Sequence, residues 1–523
     1  MKFLYKIYCV FFLCRKEKKI FNIFKNNKKS LNDEKSIVLV QCVEDYYYHA
    51  LFGVIVSSLK NKNNIKVDQY IVRNLTLGST SNVRSFIISI LFSNRFKDDK
   101  WKRLYSSYCD RVAFRHEGSS TIIFDIKALF RAFKIYRKIK TKEQLLELTL
   151  EDIKVGDLVY DSYLRFKPAP TVDINDYYLC IIIWQSLRNI NMTKKYFIKN
   201  KPDILLTSYS VYIQHGIAVR VALQFDTKVY SFGNFQTLGK RLTKSDWYHV
   251  PNCDNYKVDF ENLPNKQLNL AKSESALDKR ISGKNDISTA YIKVSAYKIS
   301  DAYLPNVKNC VVIFLHDFFD SPHIYGELLF PDFLEWIEYT IQILEQYNIS
   351  YFLKPHPNQG SDSQKEVELI KKRYPDVRFI SSSISNRQLV DGGISAGISV
   401  YGTVAHELVY MGIPVVLCGK NPHSSYNFFS IARNRAEYRD FLKSCTSAKV
   451  TNQNQEEVKS FYYMHNLNKT KSCKELMSNL IEFRNQCNNE EIFNDIDYIK
   501  MINEIKKNKE FIVFISELEK IQL

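Results

Sequence analysis

This 523-residue sequence lacks a Cys-x-x-Cys pair and any apolar run of membrane-spanning length, and it has only 4 tryptophans. Its 11 cysteines are scattered singly, odd in number, and none joins a Cys/His cluster at zinc spacing. A structural zinc site and a disulfide framework are therefore not expected, and a reducing cytoplasm suits the chain. The apolar run near the start, "IYCVFFLC" (Ile7–Cys14), falls far short of the ~20 residues a spanning helix needs. It has no small-residue cleavage site, so a signal peptide is not expected. There is no internal repeat of solenoid type. No recognised nucleic-acid module appears and the basic charge is dispersed, so no nucleic-acid partner is expected.

What is present is globular in composition, with 45% apolar and 14% aromatic residues. The aromatics are mainly 34 Tyr and 34 Phe. Tyrosine suits stacking on sugars and equally suits ordinary core and surface positions. The length exceeds what one core usually supports and implies two or more domains. The formal charge is +18, and residues 1–30 alone hold nine Lys or Arg against the single acid Glu17. This basic, aromatic N-terminus (1–35) reads either as a reversible attachment to the anionic inner face of a cytoplasmic membrane or as a solvated basic tail.

Beyond it the chain alternates between strand and helix. "SIVLVQCV" (Ser36–Val43), a helix near Ala50–Leu59, "VDQYIV", "DILLTSY", the helical "VYIQHGIAVRVALQF" and "KVYSFG" predict a parallel sheet with crossover helices. Residues 95–173 read as helical insertion material, and "YYLCIIIW" (Tyr177–Trp184) as a core helix. A polar, lysine-rich passage over Asn255–Ser300 marks the change of domain. Alternation then resumes with "CVVIFL", the amphipathic "FPDFLEWIEYTIQILEQY", "SYFL", "KEVELIKKRY", "VRFI", "GISAGIS", "TVAHELVYM" and "PVVLCG". Phe333, Ile337, Ile341 and Leu344 share one face of the first of those helices. The expected fold is α/β, with two Rossmann-like doubly wound domains (36–300 and 301–455) facing across a cleft. Charged helices at 456–523 are expected to pack back on the first domain.

Chemistry concentrates at predicted strand ends. In "YFLKPHPNQG" (Tyr351–Gly360) a proline on each side of His356 restricts the backbone, so the strand ends in an aimed imidazole, with Lys354 just before it. In "GISAGISVYGTVAHELVYMGIPVVLCG" the small residues Gly397, Ser399, Gly402 and Thr403 crowd a strand-to-helix turn. Its unpaired N–H groups suit a phosphate. Thr403 and Glu407 lie four apart on one helix face, where a carboxylate can reach a ribose diol; a plain βαβ unit with a Thr cap and a solvated Glu fits the same pattern. "FLHDFFDSPHIYG" brings Asp317, Asp320 and His323 to a sheet edge, as a base, a phosphate ligand or turn caps, with no standard metal spacing. In the first half, Glu44, Asp45 and His49 follow the opening strand. His116 and Glu117 stand beside a glycine in "RHEGSS".

The Lys-Pro-His-Pro strand end, followed about forty residues later by Ser-x-x-Gly-Thr-x-x-x-Glu ahead of Gly-x-Pro-Val, resembles the donor half of GT-B glycosyltransferases of bacterial surface polysaccharide synthesis. The capsule polysaccharide biosynthesis group, with its Kdo transferases, is the nearest in flavour; bacterial sialyltransferases and teichoic-acid glycerophosphotransferases are more distant. The resemblance spans Cys310–Gly419 and, more weakly, "SYSVYIQHGIAVRVALQFDTKVYSFGN". It implies that His356 contacts the phosphate of an activated sugar, with Ser399 and Thr403 assisting. Glu407 would hold the nucleotide ribose or a sugar hydroxyl. His215, Gly216 and Arg220 would lie on the acceptor side, with His323 grouped there too. Catalytic bases in such enzymes come from the first half, which leaves Glu44, Asp45, Glu117 and His215 as candidates besides Asp317 and Asp320. The implied activity is transfer from a CMP- or UDP-linked sugar to a lipid-linked or oligosaccharide acceptor. No metal or other cofactor is required, since the helix dipole, His356 and Lys354 can balance the phosphate charge. A nucleotide-sugar epimerase and a glycerophosphotransferase are the alternatives.

Overall fold

The first strand, β1 (Ser36–Cys42), has Val38, Leu39 and Val40 wholly buried, so both of its faces are covered. That pattern belongs to a central strand of a parallel sheet flanked by helices. The computed structural model describes residues 13–25, 36–72, 95–116, 122–234, 236–283, 296–488 and 494–520. The chain divides into two units: Met1–Lys167 with Asp173–Val250 and Thr470–Leu523, and Pro168–Val172 with Pro251–Lys469.

In the first unit β1 pairs in parallel with β2 (Ile65–Ile71), and β3 (Arg111–Arg115) extends that side. A two-stranded hairpin of β4 (Thr149–Leu150) and β5 (Ile153–Lys154) stands apart from this sheet. On the other side of β1 lie β6 (Ile204–Thr207), β7 (Lys228–Ser231) and the antiparallel edge strand β8 (Lys240–Leu242), giving the order β3-β2-β1-β6-β7-β8. The chain thus reverses its direction of travel across the sheet at β1. The stretch 95–173 is not purely helical, since it supplies β3 and the hairpin. Helices Lys471–Asn488, Asp495–Lys507 and Lys509–Glu519 contribute Leu480, Tyr498, Phe511 and Leu518 to the core of this unit.

Part of the N-terminal segment is built into the unit as well. Arg15–Lys25 is a helix that buries Ile20 and Phe24 in the same core, and the buried Glu17 pairs with Lys100 at 2.7 Å. A Cβ at Gly53 would lie 2.6 Å from the Phe24 ring, so this glycine makes the slot the ring occupies. Residues 15–25 are therefore not a tail; most of "IYCVFFLC" lies outside the described residues.

The second unit holds an all-parallel sheet of β9 (Val311–Phe314), β10 (Tyr351–Lys354), β11 (Ala396–Ile398), β12 (Val415–Cys418) and β13 (Ser430–Ala432), in the order β10-β9-β11-β12-β13. "VRFI", expected as a strand, makes only a single bridge, Leu353 to Phe379, and the fifth strand is β13. Phe333, Ile337, Ile341 and Leu344 are buried along the helix Phe333–Gln346, which Asp332 caps by accepting the Glu335 N–H at 2.9 Å. The units divide at Val250/Pro251 and Lys469/Thr470 rather than at 300/301 and 455/456. The reason is local: the helix Lys266–Ile281 packs against Asn452–Tyr462 inside the second unit.

Candidate functional site

The second sheet has its switch point at β9, with β10 on one side and β11 on the other. The crevice beyond the C-terminal ends of such strands is where open parallel sheets admit ligands. β9 delivers His316 there and β11 delivers Ser399. His316 Nε2 lies 3.1 Å from Ser399 Oγ and accepts the Val400 N–H at 3.3 Å. An accepting Nε2 places the neutral ring's proton on Nδ1, which has no hydrogen-bond partner among the described residues. The ring stacks on Phe333 with centroids 4.7 Å apart and packs against Tyr401 at 4.8 Å. Burial pushes its pKa down to about 3, with His356 adding to the effect. The result is an imidazole held neutral and in one orientation. At Gly402 a Cβ would come within 3.2 Å of Ser399 Oγ and 3.5 Å of His316 Cε1, so a larger residue would crowd this pair.

β10 ends in Lys354, whose side chain is only 2% exposed. Its ammonium has no hydrogen-bond or ion-pair partner among the described residues. Burial pushes its pKa down to about 8, against the upward pull of the Glu407 carboxylate. A dry ammonium is costly unless an anion meets it. Two residues on, His356 is exposed between Pro355 and Pro357. Its Nδ1 accepts the Asn358 N–H at 3.2 Å, which leaves Nε2 to carry the proton. Desolvation lowers its pKa, Lys354 lowers it further, and Asp317 opposes both. A phosphate arriving here would favour the charged forms of both groups, against the burial that disfavours each and the Lys354 charge that lowers His356.

Several predicted roles change in the structure. Glu407 does not share an open face with Thr403. It is buried, with Arg280 Nε on one carboxylate oxygen and the Tyr297 hydroxyl on the other at 2.6 Å, so the carboxylate is committed to an internal pair rather than open to a ribose or sugar. Thr403 is exposed at the start of the seven-residue helix Val404–Tyr410, and its side chain makes no capping bond. So short a helix offers only a weak dipole. Asp317 is a clamp rather than a base: it accepts from Phe319 N–H at 3.0 Å, Ser363 Oγ at 2.8 Å and Gly360 N–H at 3.1 Å. Those bonds tie the loop after β9 to the loop carrying His356. Asp320 is exposed in the same turn. His323 is buried in the short Pro322–Tyr325 turn of this unit rather than presented to an acceptor.

The first sheet carries an independent cluster at its own switch point, between β1 and β6. Gln41, wholly buried in β1, accepts at Oε1 from Ser208 N–H at 2.8 Å, Ser208 Oγ at 2.7 Å and Thr207 Oγ1 at 3.1 Å. Its amide nitrogen must then donate to His215 Nδ1, 2.8 Å away, leaving the proton of His215 on Nε2. Burial, reinforced by His116, holds the pKa of His215 at about 3, and that of His249 lies at about 3 for the same first cause. Ser210 Oγ stands 3.2 Å from His249 Nδ1. A Cβ on Gly216 would fall 2.5 Å from Leu158 Cδ2, so His215 is followed by glycine for want of space.

The other first-unit candidates are structural. Arg220 is buried in a two-pronged pair with Asp157 (Nη1 to Oδ1 2.6 Å) and donates to the Lys154 carbonyl at 2.6 Å, so it has little left for an acceptor. Asp45 caps the helix Tyr46–Lys62 through the Tyr47 N–H at 2.8 Å, and Glu44 is exposed just before it. His49 sits in the core, 2.5 Å from the Tyr498 hydroxyl. His116 is enclosed between the Gln214 carbonyl at 2.9 Å and Thr193 Oγ1 at 3.0 Å. Glu117 lies outside the described residues. His316, Gln41, Ser208 and His249 were not singled out from the sequence. Gln41, a lone polar residue inside an otherwise apolar strand, was the available signal.

Among the described residues no group of three or more His, Cys, Asp or Glu is placed to hold a metal ion. No family model matches the chain, and no curated protein matches it. Among solved structures, it is similar to the UDP-GlcNAc 2-epimerase of Methanocaldococcus jannaschii in complex with UDP-GlcNAc and UDP (10% identity, 81% of this chain and 98% of that one, TM-score 0.26). It is also similar to the beta Kdo 2,4 transferase KpsC of Thermosulfurimonas dismutans (12% identity, 50% and 79%, TM-score 0.30). A third is the UDP-GlcNAc 2-epimerase of Neisseria meningitidis bound to UDP-GlcNAc (10% identity, 86% and 99%, TM-score 0.22). Likenesses this low transfer no residue role and no reaction to this chain.

Proposed function

We propose that this protein is a glycosyltransferase that moves a sugar from a CMP- or UDP-linked donor to a capsule, O-antigen or related surface-polysaccharide acceptor, lipid-linked or oligosaccharide. The observation that carries the reading is Lys354, a buried ammonium at the C-terminal end of β10, beside the switch strand β9, with no hydrogen-bond or ion-pair partner among the described residues and next to an exposed imidazole. A donor phosphate would be held by Lys354 and by the Nε2–H of His356, with the Nδ1–H of His316 as a third donor fixed by Ser399. As the acceptor hydroxyl attacks the anomeric carbon and gives up its proton to solvent, the bond from that carbon to the phosphate oxygen breaks and negative charge gathers on the departing nucleotide. Donors positioned in advance stabilise that charge.

The test is incubation with CMP-, UDP-, GDP- and CDP-linked sugars, with and without an oligosaccharide acceptor. Transfer predicts that nucleotide is released from one donor class, only when acceptor is present, and not by Lys354→Met. An epimerised nucleotide sugar formed without acceptor would replace this reading with an epimerase.

A further inference from the structure

The helix Ile122–Lys138 packs one narrow side against the helix Tyr177–Asn200, burying Ala128, Ala132 and Tyr136. Its only acid, Asp125, also turns inward, accepting from Arg188 Nε at 3.0 Å. The rest of the helix is open. Ile123, Ile126, Leu129, Phe130 and Phe133 are all exposed, Ile123 at 69% and Phe130 at 67%. At 3.6 residues per turn these five fall within an arc of about 120°. Lys127, Arg131, Lys134 and Lys138 occupy the adjoining arc of about 60°. Arg131 reaches Glu151, while Lys127, Lys134 and Lys138 have no ion-pair partner among the described residues. Arg137 and Lys140 add exposed basic residues at the C-terminal end.

A water-facing helix would not carry two phenylalanines and three large aliphatic residues on its open side. We propose that this face lies in the interfacial zone of an anionic lipid bilayer. The five apolar side chains would enter the acyl boundary and the lysine row would meet headgroup phosphates. The charge distribution selects this occupant. A second copy of the chain would bring the same lysine row, and the exposed arcs offer no acid to neutralise it. This site is separate from the N-terminal segment and does not depend on the proposed reaction.

The test is flotation of the full chain with vesicles of phosphatidylcholine containing about 30% phosphatidylglycerol, against pure phosphatidylcholine vesicles. The protein should float with the anionic vesicles only, and release as salt is raised toward about 0.5 M. Phe130→Ser with Phe133→Ser, and separately Lys127→Glu with Lys134→Glu, should each lower the bound fraction about tenfold. All four side chains are exposed, so both variants should keep the wild-type circular dichroism. Failure of the wild type to float, or flotation of either double variant like wild type, overturns the proposal. So does a lipid-free dimer that the phenylalanine pair converts to a monomer, which would assign the face to self-association.

Discussion

Replacing Lys354 by methionine should make the protein more stable and less able to bind a nucleotide. The side chain keeps its length and apolar stem, and loses an ammonium that burial disfavours. A pKa lowered from 10.5 to about 8 corresponds to about 3 kcal/mol as a ceiling. The sign follows from proton binding. Between those two values the unfolded chain holds more protons than the folded one, so wild-type stability rises with pH through this window. The penalty is complete below about pH 8 and is lost toward pH 10.5. Denaturant unfolding at pH 7 should therefore find Lys354→Met more stable by about 1–3 kcal/mol, and the gap should close near pH 10. A variant less stable than wild type at pH 7, with a gap that does not change with pH, would mean that the ammonium is already well partnered and the reasoning fails.

Glu407→Ala should lose about 3–5 kcal/mol, because it leaves the buried Arg280 charge without its carboxylate; an unchanged unfolding midpoint would return Glu407 to a ligand-facing role. Gly216→Ala should cost about 1–3 kcal/mol by overpacking against Leu158 and the Ser210 carbonyl, read as a lower midpoint in urea. Acid should unfold the protein early. The pKa values of His215, His249 and His316 lie at about 3, and those of His49, His116 and His465 at about 4. Below about pH 6.5 the unfolded chain gains protons these rings cannot take, which costs about 2 kcal/mol per ring by pH 5. Circular dichroism should show loss of structure near pH 5, and a fold intact at pH 4 would contradict the burial of these rings.

Much of the architecture was legible because parallel strands buried on both faces read as short apolar runs, as in "SIVLVQC" and "CVVIFL". β3 and β13 escaped because they are edge strands of five and three residues whose sequences, "RVAFR" and "SIA", carry little apolar signal. "VRFI" had the composition of a strand and formed only a bridge, since composition does not fix pairing. At the site, the prolines around His356 and the apolar run ending in Lys354 marked the right loop. The fate of Glu407 could not be read locally, because its partners Arg280 and Tyr297 lie more than a hundred residues away in a passage that looked like a linker. Asp317 looked catalytic by type, and only its three donors reveal a clamp. His316 was passed over beside the denser Asp and His cluster that follows it.

The most direct test is calorimetric titration of CMP and of UDP into the protein at pH 8, in two buffers of different ionisation enthalpy. A phosphate meeting a half-protonated Lys354 should draw in about half a proton per nucleotide, and Lys354→Met should abolish both the heat and the uptake. Binding by neither nucleotide, or binding that persists in Lys354→Met without proton uptake, would contradict the phosphate site.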